Sequence, residues 1–177
     1  MALTPPSNPS NVTNYVTDDG NTNIYDLEHH LEKLLETVVG VYEQAGVPLP
    51  GRKYWMVGAP PEDCAQVVVS LLQIYLGTPG DQAADIQRCD SPTTAVVNVH
   101  ITRDYPIGEL GKTVSTERIT AASSWAAVDS WVLFKAMREF DKDEWGVPGL
   151  GAIATVTARP PAGGVQTTVL NLSTAVM

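Results

Sequence analysis

"TAVVNVHITRDYP", residues 94–106, alternates along most of its length. Ala95, Val97, Val99, Ile101 and Arg103 fall on one side of an extended chain, and Val96, Asn98, His100, Thr102 and Asp104 on the other. Successive side chains of a strand point to opposite faces, so this reads as a strand with one buried face and one wet face. A sheet wetted on one side is typically antiparallel and carries its helices on the dry side.

Upstream lies "AQVVVSLLQIYLG", residues 65–77. Val67, Val68, Val69, Leu71 and Leu72 make its start apolar on both faces, the pattern of a central strand. "KYWMVG", residues 53–58, is a shorter strand that ends just before two prolines. "TPGDQAADIQRCDSP", residues 78–92, is a loop punctuated by glycine and proline. Downstream, "LGAIATVTARP" and "GVQTTVLNLSTAV" form a hairpin through "PPAGG".

Two helices complete the pattern. "NIYDLEHHLEKLLETVVGVYEQAG", residues 23–46, places Ile24, Leu27, Leu31, Leu34, Val38 and Val41 at helical spacing. Asn23 suits its N-cap, and Gly46 followed by Pro48 suits its end. The second helix, capped by Ser115 or Thr116, runs to about Phe140 and contains "ITAASSWAAVDSWVLFKAM". Its charge is confined to Asp129 and Lys135 across residues 119–137. The order is α-β-β-β-α-β-β. Short links imply antiparallel pairing of sequential strands. The fold class is α+β: two helices packed on one face of a mostly antiparallel sheet of four to five strands.

The chain has 177 residues, enough for one domain with a real core. Residues 1–22, rich in Pro, Asn, Thr and Ser, read as an extended or disordered arm, and residues 23–177 as the single domain. The formal net charge is −9, and the 11 basic residues are scattered. That disfavours wrapping nucleic acid, which needs clustered cations. No apolar stretch approaches the length of a membrane span, and the N-terminus lacks the basic start and apolar middle of a signal peptide. A cytoplasmic site of synthesis follows most simply. Cys64 and Cys89 do not make a disulfide scaffold.

Motifs for chemistry are sparse. "PIGELGKT" ends like a phosphate loop, but Pro106 stands where the leading glycine belongs and offers no amide. "DDGNTNIYD" fails as a calcium loop because its glycine falls too early. His29 and His30 are adjacent on a helix and point apart. His100 sits on the polar side of its strand, where an ordinary surface histidine is the plainer reading than a proton shuttle. The acidic groups at Glu62/Asp63 and Asp141/Asp143/Glu144 read as solvated charge runs. No catalytic, cofactor-binding or metal-binding residue is assigned.

The second helix raises its own question. Trp125, Val128 and Val132 point one way, and Ile119, Ala122, Ala126, Leu133 and Met137 roughly another. One sheet and one other helix leave part of this apolar area to be covered by another subunit. Trp125, Trp131, Val128 and Phe134 are therefore the subunit-interface candidates.

The stretch "DCAQVVVSLLQIYLGTPGDQAADIQRCDSPTTAVVNVHITRDYPI", followed by a helix opening "TERITAASSWAAVDSWVLFKAM", resembles small structural proteins of long-tailed (siphovirus) actinobacterial phages. These belong to the head-to-tail connector and tail-terminator group. The resemblance covers roughly residues 24–177. It implies a virion protein, assembled in the host cytoplasm, that forms a hexameric ring at the head-proximal end of the tail. Such a ring ends tube growth and joins tail to head. Its implied partners are further copies of itself, the major tail tube protein and a head-completion or neck protein. DNA passes through transiently and without specificity, and neither membrane nor cofactor is involved. An acidic lumen would repel a phosphate backbone, and the wet face of the third strand supplies Asn98, Thr102 and Asp104 as channel-lining candidates. The arm fits no part of that pattern. Competing readings are another neck ring, a small α+β enzyme, or a dimeric binding module.

Overall fold

A computed structural model describes residues 27–80, 92–108, 113–140 and 152–176. The elements run α1 (Leu27–Gln44), β1 (Lys53–Val57), β2 (Gln66–Leu76), β3 (Thr93–Asp104), α2 (Thr116–Glu139), β4 (Ala152–Ala158) and β5 (Val165–Val176). The strands form one sheet in the order β1-β2-β3-β5-β4. The fold is the expected α+β arrangement, with β3 rather than β2 in the middle.

Each helix ends where its sequence demands. At the C-terminus of α1 the Val47 N–H reaches the Tyr42 carbonyl and the Gly46 N–H reaches that of Glu43. This is a Schellman closure, and Gly46 provides it at φ 66°. Ser115 caps α2, its hydroxyl accepting the Arg118 N–H at 3.4 Å. The proposed Asn23 cap, the N-terminal arm, Cys89, the phosphate-loop remnant around Lys112 and the acidic run at 141–144 lie outside the described residues.

The core lies between the helices and one face of the sheet. Leu31, Leu34 and Val38 of α1 and Val132, Leu133 and Ala136 of α2 meet Val67, Val69, Val97, Val99, Ile101, Leu170 and Leu172. α1 packs over β1 and β2, and α2 over β5 and β4.

Two expectations fail. First, β1 and β2 pair in parallel, Lys53 beside Val67 through Val57 beside Leu71. The link of residues 58–65 is long enough to carry the chain back to the start of β1 before β2 begins. Short sequence separation therefore did not mean a hairpin here. β2–β3, β3–β5 and β4–β5 are antiparallel.

Second, the polar side of β3 is not wet. Asn98 is 3% exposed, His100 2%, and Thr102 fully buried. β3 has a strand on each side, so its side chains are flanked at every step: Val68 and Val169 bracket His100, and Ser70 and Asn171 bracket Asn98. The β1–β2 link also folds toward this face. The Gln66 amide donates to the Pro61 carbonyl, and Glu62 pairs with Arg159 beyond the end of β4.

A register shift between Leu71 and Gln73 marks a bulge in β2. The extra residue keeps Ile74 and Leu76 on the helix side after Val67, Val69 and Leu71. β1 stops opposite Leu71, so among the described residues the second half of β2 has no strand on that side. Leu72, Ile74 and Leu76 are exposed there.

Candidate functional site

Asp129 is the one acidic residue in the middle of α2, and its side chain is buried. The Arg103 guanidinium donates to both its oxygens, from Nε at 2.7 Å and from Nη2 at 2.8 Å. The Tyr42 hydroxyl donates to Oδ1 at 3.0 Å. Arg103 also donates to the Pro48 carbonyl at 3.0 Å and lies 4.7 Å from the centre of the Trp125 ring. The carboxylate thus ties α2 to α1, to β3 and to the α1–β1 link. A fork-to-fork pair of this kind fixes geometry as well as energy. Burial, reinforced by the Asp129 charge, holds the Tyr42 phenol far above its ordinary pKa, so it remains a donor.

This network orients α2. With Asp129 turned inward, Trp131 two residues on is rotated by roughly 200° at 100° per residue, onto the opposite side. Trp131 is 65% exposed, and its ring stacks on Phe134 with centroids 6.0 Å apart. Phe134, Trp131 and Val128 make a contiguous open arc of roughly 120° by the same helical rotation. Ala127 within that arc is exposed too. Trp125 is different, because its ring is partly engaged with Arg103. Three of the four interface candidates therefore share one open surface, and the fourth belongs partly to the buried ion pair.

The channel-lining candidates are not together at a surface. Asp104 is exposed, whereas Asn98 and Thr102 are buried, the latter hydrogen-bonded to Thr167 at 3.1 Å. Within the single chain both side chains are withdrawn from solvent. The buried side of β3 instead holds polar atoms without hydrogen-bond partners: Ser70 Oγ, Asn98 Oδ1 and both ring nitrogens of His100. Burial, aided by the Arg159 charge, pushes the His100 pKa down to about 4, so it is neutral at physiological pH.

A cavity of about 740 Å³ opens between Leu34 of α1, the C-terminal turn of α2 and the β4–β5 pair, with Leu170, Leu172 and Thr174 in its lining. Among the described residues no group of His, Cys, Asp and Glu is arranged to hold a metal. Cys64 is a free thiol, with Arg52 Nη1 3.2 Å from its sulfur. Among the described residues no helix is long and apolar enough to cross a membrane.

The ion pair was visible in part. Arg103 falls in phase with Ala95, Val97, Val99 and Ile101 on the buried side, and a buried arginine needs a carboxylate. Asp129 stands in a stretch, residues 119–137, whose one other charge is Lys135. Neither residue identifies the other without the fold.

No protein-family model matches the chain. A search of curated proteins finds no match to it either.

Proposed function

We propose that this protein is a structural subunit of a ring at the head-proximal end of a phage tail, one that ends tube growth, joins tail to head and lets DNA pass. The observation that carries the reading is the open Phe134–Trp131–Val128 arc on a helix locked by the Asp129 network. Large apolar side chains held rigidly at a surface suit a permanent contact. The likeness of the β2–β3 stretch and the α2 opening to tail-terminator proteins supplies the kind of assembly. A net charge of −9 suits a conduit that must not retain DNA.

Light scattering of the full chain over a concentration series, alone and with tail tubes, tests this. A closed oligomer several times 19.0 kDa, or a ring capping the tube in electron micrographs, is the expected result. A chain that stays monomeric in solution and leaves tube length unchanged sinks the reading.

The cavity beside Thr174 favours a second reading, a dimeric binding module for a small molecule. That reading expects a discrete dimer and a ligand-dependent rise in melting temperature.

A further inference from the structure

The exposed large apolar residues are not scattered evenly. One group is Trp131 and Phe134 on α2, the helix that packs over β5 and β4; Ile153 of β4 is exposed as well, on the opposite face of the sheet. A second lies at the opposite edge: Val57 at the end of β1, then Leu72, Ile74 and Leu76 on the half of β2 that β1 leaves unpaired. Among the described residues neither edge of the sheet has a further strand beside it, and exposed apolar side chains lie near both.

β4 also lacks the usual protection of an edge strand. Its sequence, AIATVTA, has no charge and no proline. Natural edges are blunted with lysine, proline or short length, because unpaired N–H and C=O groups recruit another strand. Arg159 donates its N–H to the Thr167 carbonyl. By the two-residue period of an antiparallel ladder, the N–H groups of Ala154 and Val156 point away from β5.

We infer that β4 of one copy adds as a strand to the β1/β2 edge of the next copy, so that the sheets join head to tail. The inference rests on the ring reading and names its contact. Two different surfaces on each subunit are what a heterologous, closing interface requires. The side chains complement each other: β4 offers Ala, Thr and Val, while β1 offers Tyr54, Trp55 and Met56. Small against large fills a cross-strand interface without overlap. The layers match as well. Ile74 and Leu76 lie on the helix side of the sheet, where each stays about half exposed. The Trp131–Phe134 flank of the incoming subunit lies in that same layer.

Disulfide trapping tests the pairing. In a chain carrying Cys64→Ala and Cys89→Ala, Thr155→Cys is combined in turn with Met56→Cys, Gln73→Cys and Tyr75→Cys. All four positions lie on the sheet face away from the helices. Within one chain the paired positions are at least three strand spacings apart, roughly 14 Å. That exceeds the reach of a disulfide by about twofold, so any bond formed is between copies. The expected result is a covalent ladder from at least one pair. A second arm uses Ala154→Pro, which removes an outward N–H and spares the β5 ladder. It should reduce the assembled mass to that of a single chain while circular dichroism and melting temperature stay near wild type. If the wild-type chain forms rings, yet no pair crosslinks and Ala154→Pro assembles normally, the strand pairing is wrong and the ring reading survives. If Thr155→Cys alone links to itself, the contact is β4 to β4 across a two-fold, which overturns the head-to-tail pairing. If the wild-type chain never assembles, alone or on tubes, both readings fall together.

Discussion

Removing the Asp129 carboxylate leaves the Arg103 guanidinium mostly buried without its charge partner, and leaves the Tyr42 hydroxyl only the long contact of 3.4 Å to the residue-129 carbonyl. Asp129→Ala should cost about 3–5 kcal/mol, the usual penalty for breaking a buried pair from one side. Urea denaturation checks it. A double-mutant cycle with Arg103→Met should recover much of the loss, because the orphaned charge is then absent. A cycle that shows simple additivity would mean that the two residues do not act as a unit. His100 makes a prediction in pH. Its folded pKa, about 4, lies below the unfolded value of 6.5. Between those values the unfolded chain binds the extra proton, so stability is full above pH ~6.5 and falls as pH drops toward ~4. The loss attributable to His100 is on the order of 3 kcal/mol. His100→Gln should flatten that part of the profile, and the difference between wild-type and variant denaturation curves reads it directly. The alternation at residues 94–104 made the two faces of β3 legible, but it did not reveal that the polar face is buried. Alternation reports only which side chains share a face. Whether that face is wet depends on neighbours brought from elsewhere in the chain.

At the level of elements, the caps behave as local chemistry. Gly46 sits at φ 66° in the closure of α1, and a side chain there meets steric strain rather than a neighbouring atom. Gly46→Ala should destabilise by about 1 kcal/mol through the left-handed backbone alone, measured as a shift in denaturation midpoint. On α2, Trp131→Ala and Phe134→Ala remove exposed rings, so melting temperature should change little while assembled mass falls. Trp125→Ala should behave differently and lower stability, since its ring covers Arg103. A Trp131→Ala variant that unfolds would place that residue in the core and remove the main support for the proposed function. The closure of α1 at Gly46 and the cap of α2 at Ser115 were readable because each depends on a few neighbouring residues. The parallel pairing of β1 and β2 was not readable. Strand direction depends on the path of the 58–65 link across the fold, and no residue in the link encodes it.

For the whole molecule, the decisive quantities are which surfaces remain open and what meets them. The apolar content of α2 was plain from residues 119–137, and the need for some cover followed from it. Composition alone left Trp125 and Trp131 equivalent. In the fold one ring lies over a buried cation and the other faces outward, because Arg103 and Tyr42 set the rotation of the helix about Asp129. What the sequence determined by itself was local: the element order, the end of α1 and the cap of α2, the two faces of β3 and the α+β class, all carried by periodicities of 2 and 3.6 residues and by capping chemistry. Only the tertiary structure decided the strand order β1-β2-β3-β5-β4, the burial of Asn98, His100 and Thr102, the Asp129–Arg103 pair and the apolar side chains left exposed near both edges of the sheet. Those features join residues far apart in the chain, and such contacts follow from packing the whole core rather than from any single stretch.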